Sequence, residues 1–180
     1  MPRKVLIISS SPRKGGNSDT LCDEFARGAK ESNNQVEKIF LKDKKINYCT
    51  GCGLCVENGN TGCSQNDDMT EVLNKIINSD VIILATPIYF YAMSAQMKTL
   101  IDRCCARYTQ IKNKDFYFIL TSADTEKASL ERTVESFRGF LDCLENAKEK
   151  HIIYATGVWK MGDVNKTDLP KQAYILGKSV

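Results

Sequence analysis

Apolar positions along the chain switch repeatedly between two spacings. Lys4-Val-Leu-Ile-Ile-Ser9, Asp80-Val-Ile-Ile-Leu-Ala-Thr86 and Phe116-Tyr-Phe-Ile-Leu-Thr121 are nearly unbroken apolar runs of strand length, and Gln35 to Leu41 and Ile152 to Thr156 read as two further strands. Between them the spacing becomes helical. Ser18 to Lys30 places Leu21, Phe25, Ala26 and Ala29 on one face, and Asp67-Asp-Met opens a helix bearing Met69, Val72, Leu73, Ile76 and Ile77. The two acids suit that helix's positive end. Met93 to Tyr108, Leu130 to Lys148 and Leu169 to Lys178 read as the remaining helices.

Strands that are apolar on both faces, separated by helices of this length, describe a parallel sheet covered on both sides. The expected fold is therefore α/β, a flavodoxin-like three-layer sandwich whose five-stranded parallel sheet runs in the order 2-1-3-4-5. In such a sheet ligands bind beyond the carboxyl ends of the strands, at the switch between the first and third. Attention falls on the loops after Ser9, Thr86 and Thr121. No repeat, low-complexity tract or linker divides the sequence, so residues 1–180 read as one domain with a cysteine-rich insertion at 48–66.

The first of these loops, Ser9-Ser-Ser-Pro-Arg-Lys-Gly-Gly-Asn-Ser18, runs from a strand into a helix. Hydroxyls at Ser9, Ser10, Ser11 and Ser18, the Asn17 amide, N–H groups freed by Gly15 and Gly16, and a helix N-terminus together suit a phosphate. The stretch fits neither the nucleotide-triphosphate nor the dinucleotide glycine pattern. A plain capped turn would account for Asn17 or Ser18 alone, but not for the whole run. Thr86-Pro-Ile-Tyr-Phe-Tyr-Ala-Met-Ser94 sets three aromatics where a planar ring would lie, against the blander reading that each packs on a helix or a partner. Thr121-Ser-Ala-Asp-Thr-Glu126 is small and polar, adequate for contact with such a ring.

Cys49, Cys52, Cys55 and Cys63 form a C-x2-C-x2-C-x7-C array, half of the chain's eight cysteines within fifteen residues. Three close thiolates and a fourth within reach can enclose a [4Fe-4S] cube. A four-thiolate zinc site, which usually uses two separated pairs, and a set of free thiols stand beside that reading. A thioredoxin-type dithiol at Cys49-Thr-Gly-Cys52 is disfavoured because the motif follows the second strand. Cys22, Cys104, Cys105 and Cys143 have apolar neighbours at helical spacing and read as small buried hydrophobes. His151, the single histidine, reads as structural. Trp159 either covers a pocket or packs at a subunit contact.

Ser10 to Ser18, the Cys-x-x-Cys loop leading to Asp67-Asp-Met69, and Pro87 to Asp102 together resemble the NADPH-dependent FMN reductase family, and within it the iron-sulfur flavoprotein branch. The resemblance implies FMN held by the loops after strands one, three and four, in a homodimer or homotetramer. Its phosphate would be held by Ser9, Ser11, Arg13, Asn17, Ser18 and Thr20, and its ring by Pro87, Ile88, Tyr89, Phe90 and Tyr91 with Ser122 and Ala123 beneath the far edge. The branch also implies Cys49, Cys52, Cys55 and Cys63 as cluster ligands. Flavin chemistry needs no general base or nucleophile from the protein, so no catalytic side chain is expected. NAD(P)H would be the electron donor and a quinone or similar small molecule the acceptor. A cluster would add a one-electron path to a ferredoxin-like protein. An electron carrier without small-molecule turnover, and a zinc or thiol sensor, are the competing classes.

Charge and composition narrow the setting. The net charge of +3 comes from 25 basic and 22 acidic residues mixed along the chain, which argues against nucleic-acid or membrane partners. No apolar run nears the roughly 18 residues that span a bilayer. The expected location is the cytoplasm, whose reducing poise disfavours a disulfide framework.

Overall fold

In the computed structural model, which describes residues 1–180, the predicted runs become β1 (Lys4–Ser9), β2 (Gln35–Phe40), β3 (Val81–Tyr89), β5 (Asp115–Thr121) and β6 (Lys148–Ala155). They form one parallel sheet in the order β2-β1-β3-β5-β6. Among the parallel strands this is the expected topology. The numbering differs because a two-residue strand, β4 (Ala92–Met93), pairs antiparallel with the end of β3 and has no counterpart in the sequence reading.

Successive residues of each strand feed opposite faces, which is why the runs are apolar throughout. Leu6, Ile8, Ile82, Leu84, Phe118 and Leu120 face α3 (Met69–Asn78), α4 (Ala95–Arg103) and α5 (Ala128–Leu141). Val5, Ile7, Ile83 and Ile119 face α1 (Asn17–Glu31) and α6 (Leu169–Lys178). Phe118 stacks on Phe137 of α5 at 4.6 Å between ring centroids. On the other face α1 and α6 touch backbone to backbone. A Cβ built on Gly28 would lie 2.1 Å from the Tyr174 carbonyl oxygen, and one on Gly177 would lie 2.1 Å from that of Phe25.

Four boundaries differ from expectation, the first being β3, which runs on past Thr86 to Tyr89. The Met93–Tyr108 helix is shorter: Ser94 caps α4 by accepting the Met97 N–H, and after Arg103 the chain tightens into 3-10 turns at Cys104–Ala106 and Tyr108–Gln110. The Leu130–Lys148 helix stops at Leu141, and β6 starts at Lys148 instead of Ile152. That strand lies at the sheet edge with Lys148-Glu-Lys-His151 exposed, so its first half lacks an apolar signature. The cysteine-rich insertion contains one helical turn, α2 (Leu54–Glu57). No helix is long and apolar enough to cross a membrane.

Candidate functional site

A shallow cleft of about 80 Å³ opens beyond the carboxyl ends of β1, β3 and β5, where ligands of such sheets bind. One end is built by the β1–α1 loop. Ser10 anchors that loop to the sheet: its Oγ donates to the Ala85 carbonyl at 3.0 Å and meets the Ser94 hydroxyl at 2.8 Å. Ser11 Oγ turns the chain by accepting the Arg13 N–H at 3.2 Å. Helix α1 then starts at Asn17 with Gly16 as N-cap and no side-chain cap, leaving the Asn17, Ser18 and Asp19 N–H groups without backbone acceptors. These groups and the helix dipole favour an anion.

Two further observations fit a phosphate there. Ser9 Oγ is fully enclosed and has no hydrogen-bond partner. A Cβ on Gly16 would lie 3.1 Å from the Arg13 carbonyl oxygen and 3.8 Å from Ser11 Oγ, intruding on the cradle. No lining residue of the cleft is acidic, and Arg13 contributes a cation.

Of the residues predicted to bind, Ser11, Arg13, Asn17, Ser18, Pro87, Ile88, Tyr89 and Ala123 come together around the cleft. Others are employed elsewhere. The Thr20 hydroxyl donates back to the Gly16 carbonyl at 3.2 Å, outside the lining. Ser122 Oγ accepts the Asp124 N–H at 3.1 Å and shapes the β5 loop. Phe90 and Tyr91 form the tip of the β3–β4 hairpin with φ of 49° and 62°, and they border a separate hollow against α5. Two large residues at positive φ suit the twist of a two-residue hairpin but are strained, and Phe90 is wholly exposed.

Two lining residues escaped the sequence reading, Val158 and Met161, while Thr121 opens the loop expected near the ring and Trp159 takes the pocket-covering one of its two expected places. Thr121 Oγ1 lies 2.6 Å from Ser18 Oγ, joining β5 to α1 across the cleft floor. Val158, Trp159 and Met161 lie on the segment after β6. Its Gly157-Val-Trp-Lys-Met-Gly162 sequence, flanked by glycines at positive φ, was the only available signal.

The cysteine loop is closed at its base by a buried ion pair. Arg103 of α4 donates to both carboxylate oxygens of Asp67 at 2.7 and 3.0 Å and to the Asn47 carbonyl at 2.7 Å. Asp67 also accepts the Asn47 and Met69 N–H groups at 3.0 and 3.1 Å. Burial raises the Asp67 pKa, but the Arg103 hydrogen bonds and these two N–H groups outweigh it and leave the carboxyl lowered. Asp67 therefore clamps the loop, and its partner Asp68 accepts the Lys45 N–H at 2.6 Å, also across the loop base.

Within the loop Cys49 and Cys52 are exposed, while Cys55 and Cys63 rest against the core. No three His, Cys, Asp or Glu side chains of the chain are gathered closely enough to hold a single metal ion such as zinc. Two cysteines read as buried are not. Cys143 and Cys105 are exposed, and Cys105 lies against Cys55 where α2 meets the turn after α4. Cys22 and Cys104 are buried as expected, and desolvation pushes both thiols up to about 12.

The sequence profile of the NADPH-dependent FMN reductase family matches residues 3–146. An iron-sulfur flavoprotein of Archaeoglobus fulgidus is 46% identical over 100 residues, which are 56% of this chain and 44% of that protein. An iron-sulfur flavoprotein of Methanosarcina thermophila is 30% identical over 141 residues, 77% of this chain and 72% of its own length. The chain thus spans about half the length of the first of these relatives. Among solved structures, an NAD(P)H:quinone oxidoreductase of Methanothermobacter marburgensis superposes with a TM-score of 0.79 at 15% identity, over 99% of this chain and 96% of its own. At that identity the likeness concerns the fold.

Proposed function

The chain belongs to the NADPH-dependent FMN reductase family, and on that premise we propose that it is an FMN-dependent oxidoreductase passing electrons from NAD(P)H to a small acceptor such as a quinone. The observation that carries this reading is the anion cradle at the sheet's switch point: an enclosed, unpartnered Ser9 hydroxyl at the end of β1 and an uncapped helix N-terminus at the end of the loop that follows. FMN, when bound, supplies the hydride acceptance and electron delivery.

The protein's own residues would bind and orient. Ser9, Ser11, Ser18 and the α1 N–H groups would hold the phosphate, with Arg13 adding charge at the rim. Pro87, Ile88, Tyr89 and Ala123 would form the apolar wall of the ring site, where exclusion of water favours the neutral ring. Phe90 and Tyr91, on the exposed hairpin tip, would reach the flavin only from a neighbouring subunit. That geometry, with Phe90 uncovered at the hairpin tip and Tyr89 and Trp159 uncovered at the cleft, supports a homodimer or homotetramer.

The purified chain given FMN should oxidise NAD(P)H in the steady state when a quinone is present. A chain that binds FMN yet shows no turnover with any quinone, nitro or azo acceptor would be an electron carrier instead.

A second reading concerns the cysteine loop. Its C-x2-C-x2-C-x7-C spacing and the names of the relatives support a [4Fe-4S] cluster, which would open one-electron exchange with a ferredoxin-like protein. Iron and sulfide analysis of protein isolated without oxygen decides between cluster, zinc and free thiols.

A further inference from the structure

The segment after β6 is held more firmly than a surface loop requires. Gly157 N–H donates to the Asp124 carbonyl and Val158 N–H to the Ser122 carbonyl, each at 2.8 Å. From across the cleft Asn17 makes three more bonds. Its Nδ2 donates to the carbonyls of Val158 at 3.3 Å and Lys160 at 3.0 Å, and its Oδ1 accepts the Val164 N–H at 3.2 Å. Two carbonyls and one N–H fix the orientation of that amide. Asp163 closes the turn by accepting the Lys160 N–H at 2.7 Å.

The backbone is thus fixed while its crest stays uncovered. Val158 and Val164 are buried, but Trp159 and Met161 are 67% and 65% exposed. Both line the cleft beside Ser11, Arg13 and Asn17, at the end where the anion cradle lies. Arg13 Nη1 reaches the Trp159 carbonyl at 3.5 Å, so the segment stands at the outer edge of that cradle. A ligand longer than a monophosphate would have to leave the cleft past this edge.

We infer that Asn17 is a positioning residue that hangs the Gly157–Gly162 segment across the phosphate end of the cleft. Trp159, at its crest, is the specificity-determining residue that admits a flavin monophosphate and excludes a flavin dinucleotide. The inference rests on the flavin reading and adds to it the limit on ligand length.

The test measures the affinities of the flavin-free full-length chain for FMN and FAD by quenching of flavin fluorescence, in wild type, Trp159→Ala, Trp159→Phe and Asn17→Ala. Trp159 is the single tryptophan of the chain, so the anisotropy of its emission also reports how firmly the segment is held. Wild type should prefer FMN by at least about tenfold. Trp159→Ala and Asn17→Ala should each shrink that preference to a few-fold by admitting FAD, Trp159→Phe should keep it, and Asn17→Ala should lower the anisotropy. Because Trp159 is largely exposed, its replacement leaves the core intact if Asn17→Ala should fail to fold. An unchanged preference in Trp159→Ala overturns the inference, as does a change only in the oligomer's mass. Wild type binding FAD as tightly as FMN overturns it while leaving the flavin reading in place, and wild type binding neither overturns both.

Discussion

The Ser9 hydroxyl is enclosed by the sheet and the first loop and bonds to nothing in the chain. Burying such a group without a partner costs about 1–3 kcal/mol, and a charged phosphate oxygen is the kind of acceptor that offsets it. Ser9→Ala should therefore weaken FMN binding by about 1–3 kcal/mol. Unfolding of the flavin-free variant in urea should show no loss of stability, since the substitution removes an unsatisfied group. Equal FMN affinity in the two proteins would remove Ser9 from the cradle. The cysteines separate in the same way by their surroundings. Iodoacetamide applied to reduced, metal-free native protein should label Cys105 and Cys143 with Cys49 and Cys52. Cys22 and Cys104, buried and raised to about 12, should react only after denaturation, as mass spectrometry of tryptic peptides would show. Helical spacing could not sort these four, because Cys104 and Cys105 are neighbours in sequence and a register inferred from Met93 to Tyr108 fails once α4 tightens after Arg103. Asn17 was legible as a loop donor, but not as the anchor of a segment more than 140 positions away.

Between elements, the Arg103–Asp67 pair joins α4 to both ends of the cysteine loop, and both side chains are almost fully enclosed. Removing one partner from such a pair leaves an uncompensated buried charge, so Asp67→Ala should lower stability by about 3–5 kcal/mol in urea unfolding. Its pH dependence has a definite sign. The folded-state pKa of Asp67 lies below its ordinary 3.8, so the contribution is complete above 3.8 and disappears as the pH falls through the lower folded value. Acid should thus release the loop, and the protection of the Asn47 and Met69 amides, taken relative to their intrinsic exchange rates at each pH, should hold above pH 3.8 and be lost in wild type as the pH falls through the lower folded value. Exchange that is already fast at neutral pH would contradict the clamp. Strands β1, β3 and β5 were legible because both faces are buried and the runs are continuous. The start of β6 was not, because an edge strand with exposed charges looks like the end of a helix. Nor could the sequence show that Gly28 and Gly177, each inside a helix, are where α1 and α6 meet. Gly28→Ala must push the helices apart and should destabilise the fold strongly, despite alanine's better helix propensity.

For the molecule as a whole, the topology follows from the alternation of strands and helices, and the cleft follows from the topology. A ligand that binds only the folded chain must stabilise it by RT ln(1 + [L]/Kd), about 2.7 kcal/mol at a hundredfold excess over Kd. For a chain of this size each kcal/mol moves the midpoint by roughly 2–4 °C, so saturating FMN should raise it by roughly 5–11 °C. The same increment should be much smaller with riboflavin, which carries the ring but lacks the phosphate that the β1–α1 loop is built to receive. Comparing the two ligands isolates the cradle from the apolar wall, because both would share contacts with Pro87, Ile88 and Tyr89. Equal shifts with FMN and riboflavin would mean that the ring alone carries the binding and that the serine loop holds no phosphate. A shift with FMN alone would tie stability to the cradle formed where the sheet changes direction between β1 and β3.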